Sequence, residues 1–337
     1  MLTAESVSRL FSNFDKLRVL IVGDVMIDSY LFGTVDRISP EAPVPVVAVK
    51  ERSERLGGAA NVALNIKALG SEAVICAVVG NDDRAMIFEK LLKSHRMPVN
   101  GLVRSGNRIT TTKFRVIGNN VQMLRVDEED TAELNQTETQ QLLDRFEYLL
   151  QTEHFDAVVL QDYNKGVLTA EVISKVIERA TKHKIPVTVD PKKKNFLAYQ
   201  GATLFKPNLK ELREGLGKSF SAGNFDELFR EVAALQDEMK VQNIMVTLSE
   251  KGVIIRHHGE SENIEIHIPA HLRNISDVSG AGDTVISVAT LCLALDQEPA
   301  NIAAIANLAG GLVCEEVGVV PVDKNKLHDE VLRLLVR

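Results

Sequence analysis

The sequence predicts an α/β protein: a doubly wound, mainly parallel sheet with a small β-sheet lid. Three observations predict it. Short β-rich apolar runs alternate with longer stretches of helical spacing, the signature of βαβ units. Two segments break that rhythm with extended-strand patterns of their own. A chain of 337 residues with 45% hydrophobic and 25% charged side chains can bury a sizeable core, which argues against disorder or a coiled coil.

In chain order, Arg18–Val22, Ala73–Val79, Ala157–Leu160, Pro186–Val189, Thr203–Phe205 and Ile244–Leu248 read as central strands. Between them, Ala60–Leu69, Arg84–His95, Thr137–Leu150, Ala170–His183 and Phe225–Met239 have the spacing and length of helices. Gly252–Arg256 and Ile264–Ile268 read as a later antiparallel addition, followed by helices from about Asp283 and about Pro299. Phe32–Lys50 carries Pro40, Pro43 and Pro45 among alternating valines, so extended edge strands are expected there rather than a helix. Thr110–Val126 has a hairpin pattern with Gly118-Asn119-Asn120 at its turn. These excursions, about 32–52 and 110–126, are expected to form a flap over one face; the bland alternative is two surface loops. With no repeat, low-complexity tract or linker, one α/β domain over residues 1–337 is preferred to two.

Composition excludes several function classes. A formal charge of −7 lacks the basic surplus with which proteins displace phosphate counterions, so nucleic-acid binding is not expected. Cys76, Cys292 and Cys314 lie in apolar runs without C-x-x-C spacing and read as buried thiols. The N-terminus has no basic segment before a long apolar one, and no apolar stretch reaches the roughly 18 residues that span a bilayer. A cytoplasmic protein without membrane association is the expectation.

The stretch richest in chemistry is Asp277–Asp283, DVSGAGD, which runs into an apolar helix. Glycines flanking a small residue at a helix start let several backbone N–H groups face one concavity, and the helix dipole adds to its pull on an anion. Asp283 follows in the first turn. A carboxylate beside a phosphate repels it unless a hydroxyl proton lies between them, which suggests a general base for a hydroxyl attacking a phosphoryl group. The alternative is a glycine-rich helix start with Asp283 as a first-turn residue. Gly57–Asn61, GGAAN, leads into another helix; its backbone permits close approach of a polyol, and Asn61 offers a donor and an acceptor. Asp24 and Asp28 end the first strand, at the edge where open α/β sheets bind ligands, though either could merely cap a loop. G-x-x-x-x-G-K-[ST], a complete dinucleotide fingerprint and H-E-x-x-H are all missing.

Together, GGAAN near one end and DVSGAGDTV near the other resemble the two signatures of the ribokinase/PfkB family of small-molecule kinases, a resemblance covering nearly the whole chain. It implies a ribokinase-like fold whose β-sheet flap closes over a sugar and often pairs with another subunit's flap. GDVMIDSYLFGTVDRISPEAPVPVV, GGAANVALNIKALG, QDYNKGVL, DPK and TLFKPNLKEL are similar to the kinase half of bacterial enzymes acting on D-glycero-D-manno-heptose 7-phosphate. That group uses ATP to phosphorylate the anomeric hydroxyl, giving the 1,7-bisphosphate, a precursor of the ADP-heptose of lipopolysaccharide. Many relatives carry a fused nucleotidyltransferase domain with an H-x-G-H motif; none follows Arg337 here, so a stand-alone kinase is expected. Kinases of the family that act on fructose phosphate or ribose are the alternative, and a catalytically silent sugar or nucleotide sensor is the alternative of another class.

Carried over residue by residue, the resemblance makes Asp283 the base and Gly280-Ala281-Gly282 the anion hole. Asp28, Gly57, Gly58 and Asn61 would hold sugar hydroxyls. Asn208-Leu209-Lys210-Glu211 matches the N-x-x-E element beside the nucleotide phosphates, with Glu211 organising Mg²⁺ largely through water. Thr247, Ser249, Gly252 and Asn307 fall in the nucleotide pocket. A monovalent cation is a further candidate. For the sugar's own phosphate, Lys113 and Arg115 alternate on one lid strand with Arg125 across the hairpin and Lys165 after QDY; a solvated strand edge is the competing reading. Lys192 follows DP, and the run Lys192-Lys193-Lys194 reads mainly as surface. A homodimer through the lid is implied, and Val44, Val46 and Val47 permit it.

Overall fold

The computed structural model describes residues 2–221, 223–259 and 263–336. Helix α1 (Ala4–Phe14) opens with a capping box in which Thr3 and Ser6 satisfy each other's backbone N–H groups. Strand β1 (Arg18–Gly23) is followed at once by β2 (Val25–Ile38) and β3 (Pro45–Gly58), then α2 (Ala59–Ala68), β4 (Glu72–Gly80), α3 (Asp83–Ser94) and β5 (Leu102–Ser105). Next come β6 (Thr112–Gly118), β7 (Val121–Glu128), α4 (Gln136–Thr152), β8 (Ala157–Gln161), α5 (Ala170–Lys182), β9 (Val187–Asp190) and β10 (Leu204–Phe205). The remainder is α6 (Leu209–Leu216), α7 (Phe225–Met239), β11 (Asn243–Thr247), β12 (Val253–His257), β13 (Ile264–Ile268), α8 (Ala281–Ala294), α9 (Pro299–Val313) and α10 (Lys324–Leu334).

Nine strands form one sheet in the order β13-β12-β11-β10-β9-β8-β1-β4-β5. Strands β5 through β11 of that order pair in parallel, and β12 and β13 add antiparallel at the edge, as expected. Period-two alternation divides the core: Val19 and Ile21 of β1 pack with residues of α1, α2, α8 and α9, while Leu20 and Val22 pack with residues of α4, α5 and α7. The order reverses at β1, so the carboxyl ends of β1, β8 and β9 face a crevice of the kind open α/β sheets use for ligands.

The lid is a four-stranded sheet, β3-β2-β6-β7. It begins at Val25 and reaches Gly58, so it is longer than the 32–52 expected, and its second part is Thr112–Glu128. Of its first two strands only β3 is an edge strand; β2 lies inside, between β3 and β6, because Pro40 and Pro43 stay in the connection and Pro45 occupies the first position of β3. Asn119 and Asn120, at φ 52° and 64°, make the two-residue turn between β6 and β7. Helices α1, α6 and α10 and strand β5 join the elements expected from the sequence. All three cysteines are buried and free. No helix among the described residues is long and apolar enough to cross a membrane.

Candidate active site

Helix α8 starts on Gly280, whose left-handed φ of 81° turns the chain into the helix. Only glycine adopts that conformation without strain, and a Cβ there would also crowd Val319 and the Asn61 amide. The Ala281 N–H donates to the Val278 carbonyl, which withdraws it from the predicted anion hole of Gly280, Ala281 and Gly282; the Gly282 amide, joined by that of Asp283, which the prediction did not include, has no helical partner. Gly282 has Asp190 Oδ2 and Lys206 Nζ each 3.8 Å from where its Cβ would stand. A side chain there would fill the space between them.

Asp283 is 6% exposed. Its Oδ2 accepts from Asn61 Nδ2 at 2.6 Å; its Oδ1 accepts from the Tyr163 hydroxyl at 2.7 Å and Gln161 Nε2 at 3.2 Å. Burial pushes its pKa up to about 6, against the hydrogen bonds that favour the ionised form. The two glycine motifs therefore meet, as the sequence led one to expect. Asn61 Oδ1 is buried without a partner, an acceptor left open beside Asp283.

Asn208, Leu209, Lys210, Glu211, Thr247, Ser249, Gly252 and Asn307 all line one cleft with Gly280–Asp283, of about 930 Å³ and thus of small-molecule size. Their local roles are partly structural. Asn208 and Glu211 form the capping box of α6, each side chain accepting from the other's backbone N–H at 2.8 Å. The Lys210 side chain is 82% exposed, beside Glu214. Asn307 donates to the Pro269 carbonyl, tying the loop after β13 to α9. The fit of the cleft to Mg²⁺ rests on Asp190 and Glu211. Asp190 Oδ1 is buried with no hydrogen-bond partner, and both carboxylates line the cleft. Among the described residues no group of three or more His, Cys, Asp or Glu is gathered as a metal cage. Two carboxylates suit an ion that keeps several waters and takes its other ligands from phosphates.

On the lid side the predicted cations converge, each already held by an acid. Lys113 meets Asp127 at 2.9 Å and Glu129 at 3.2 Å, Lys165 meets Glu129 at 2.7 Å, and Arg125 meets Asp127 at 2.9 Å. Arg115 lies opposite Arg125 and bonds Asp28. The expected pair of free charges on β6 is thus a neutralised network, because β2 on one side and β7 with the segment after it on the other supply carboxylates in register. Gly57 makes room for Asp28, whose Oδ2 would be 2.5 Å from a Cβ at that position, and Gly58 adopts φ 61° against the Asp24 carbonyl.

Two readings need correction. Asp28 sits inside β2 rather than at the end of β1. Asp24 is 1% exposed and accepts the backbone N–H groups of Tyr163, Lys165 and Val167, so it fixes the loop after β8 and is buried away from any sugar. Sequence reasoning missed Gln161, Tyr163, Asp190 and Lys206, and it placed Lys192 with the cations for the sugar's phosphate or on the surface. Lys192 leaves the surface run to bond Glu211 and lie 5.8 Å from the Tyr163 ring centroid, whereas Lys194 stays half-exposed beside Glu133. Lys206 is 2% exposed and pairs with Asp190 at 3.2 Å. All five stand at or just beyond the carboxyl ends of β8, β9 and β10, the signal that could have found them.

The model of the pfkB family of carbohydrate kinases matches residues 16–325. The chain belongs to that family. It is 40% identical over 314 residues to the "Bifunctional protein HldE" of a Nitratiruptor species, covering 93% of this chain and 65% of that protein. The protein of the same name from a Caulobacter species is 40% identical over 325 residues, 96% of this chain and 64% of that one. The chain thus spans about 65% of the length of these relatives. Phosphofructokinase-2 from Escherichia coli in complex with potassium superposes with a TM-score of 0.77 at 20% identity, covering 95% of this chain and 100% of that one. Arabidopsis thaliana ribokinase complexed with ribose and ATP gives 0.68 at 16% identity, covering 93% and 98%. The fold is ribokinase-like, and the family makes the chain a carbohydrate kinase.

Proposed function

We propose that this kinase transfers the γ-phosphoryl group of ATP to the anomeric hydroxyl of D-glycero-D-manno-heptose 7-phosphate, giving the 1,7-bisphosphate. The observation that carries the chemistry is the contact of Asn61 with Asp283 at the start of α8, which joins the sugar side of the site to the phosphate side. The HldE relatives and the cation network of the lid favour a phosphorylated heptose as acceptor.

In the proposed step Asp283 accepts the proton of the sugar hydroxyl as its oxygen bonds the γ-phosphorus. The bond from that phosphorus to the β-γ bridging oxygen breaks, its electron pair leaving with ADP. The amides of Gly282 and Asp283 and the buried Lys206 cation would balance charge on the transferring group. Asn61 and Asp28, the latter through the space left by Gly57, would bind sugar hydroxyls. Lys113, Arg115, Arg125 and Lys165 would exchange their carboxylate partners for the sugar's phosphate as the lid closes and excludes water. Asp190 and Glu211 would hold Mg²⁺, which when bound offsets the charge of the ATP phosphates. A monovalent cation belongs to the proposal on the strength of the potassium complex of the structural neighbour.

A lid-to-lid homodimer is part of the same reading, supported by Val44, Val121, Met123 and Leu124, apolar side chains of the lid that stand exposed. The test is a panel of sugars and sugar phosphates with Mg-ATP, with the product position read by phosphorus NMR. A new anomeric phosphate on heptose 7-phosphate, at an efficiency well above that for fructose 6-phosphate or ribose, is expected. Preference for either of the latter would overturn the substrate.

A further inference from the structure

We infer that Tyr163 is a positioning residue: its phenol holds the Asp283 carboxylate so that Oδ2, and not Oδ1, is presented to the attacking hydroxyl. This rests on the reading of Asp283 as the base. Each carboxylate oxygen has two lone pairs. Those of Oδ1 are taken by the Tyr163 hydroxyl and Gln161 Nε2, whereas among the described residues Oδ2 accepts only from Asn61 and keeps one lone pair free. Gln161 Nε2 also lies 3.3 Å from Asp190 Oδ2, so its hydrogen atoms are shared between two acids. The phenol, at 2.7 Å, is the shorter contact and the donor that decides the orientation.

The phenol is itself held from behind. Asp24, just past the end of β1, accepts from the Tyr163 N–H at 2.8 Å and from the Lys165 and Val167 N–H groups at 3.1 Å. A buried carboxylate is costly unless its lone pairs are satisfied, and here the loop amides satisfy them. The loop so fixed carries the phenol to the base and Lys165 to Glu129 behind the lid strands. During transfer the sugar proton goes to Oδ2, while the phenol keeps its own proton and donates throughout.

Tyr163→Phe removes one oxygen and leaves the ring to pack. Turnover should fall about tenfold to a hundredfold, the range of a hydrogen bond to a charged group, with KM for ATP and for sugar each within about twofold of wild type. In an Asp283→Asn background the same change should cost less than about twofold more, because the phenol acts only through the carboxylate. Full additivity in that background, a loss carried mainly by KM for the sugar, or no loss at all would overturn the inference while leaving Asp283 as the base. Wild-type turnover by Asp283→Asn alone would overturn both.

Discussion

Asn61 Nδ2 and Asp283 Oδ2 lie 2.6 Å apart although 222 positions separate them in the chain. The contact joins the first turns of α2 and α8, two helices that each begin after glycine. It puts a side chain with an open buried acceptor beside the buried acid at the glycine-led start of α8.

The pH dependence of turnover should report Asp283. Burial raises its pKa from 3.8 to about 6, and only the ionised form accepts a proton. Turnover at saturating substrates should therefore be flat above about pH 7 and fall as pH drops through about 6. A rate profile that stays flat down to about pH 5 would contradict this.

Stability should move the other way. A carboxyl displaced from 3.8 to about 6 gives up roughly 3 kcal/mol of native-state stability at neutral pH. That deficit is present above the folded-state value and vanishes below the unfolded one, where both states hold the proton. Asp283→Asn should therefore melt several degrees above wild type at about pH 8, with Asn61 able to turn its open oxygen to the new amide. The difference should shrink as pH falls to about 4, in thermal melts recorded at both ends.

Lys206→Met should be among the more damaging single changes, because it leaves the buried Asp190 carboxylate without its cation. Breaking such a pair costs about 3–5 kcal/mol, whereas replacing both partners costs much less. Denaturant midpoints should place Lys206→Met below the double variant Asp190→Asn/Lys206→Met. The reverse order would mean that the pair is not coupled.

Lys113→Ala should raise KM for the sugar phosphate about tenfold or more and leave KM for ATP within about twofold, since Lys113 lies in the lid network and the cleft proposed for the nucleotide is lined by other residues. Equal effects on the two substrates would remove Lys113 from the acceptor's phosphate site.

Much of this was legible in the sequence. The parallel strands were visible as apolar runs, and GGAAN and DVSGAGD were visible because glycines at helix starts mean close backbone approach. The rest was hidden for identifiable reasons. Tyr163, Asp190 and Lys206 are single residues at the ends of three different strands, and their meaning arises only when the sheet brings those ends together. Asp24 misled because an acid at a sheet edge looks the same in sequence whether it faces a sugar or three amides of a loop far along the chain. Asn208 and Glu211 suggested a ligand and so obscured the eight-residue helix they cap. The lid cations looked free because the pairing of Lys113 with Asp127 depends on the register of β6 and β7.

The most direct test of the account is the turnover of Asp283→Asn at about pH 8 with saturating Mg-ATP and sugar phosphate. A fall of roughly 10² to 10⁴ with both KM values near wild type is predicted. Phosphorylation of the sugar at the wild-type rate would contradict it.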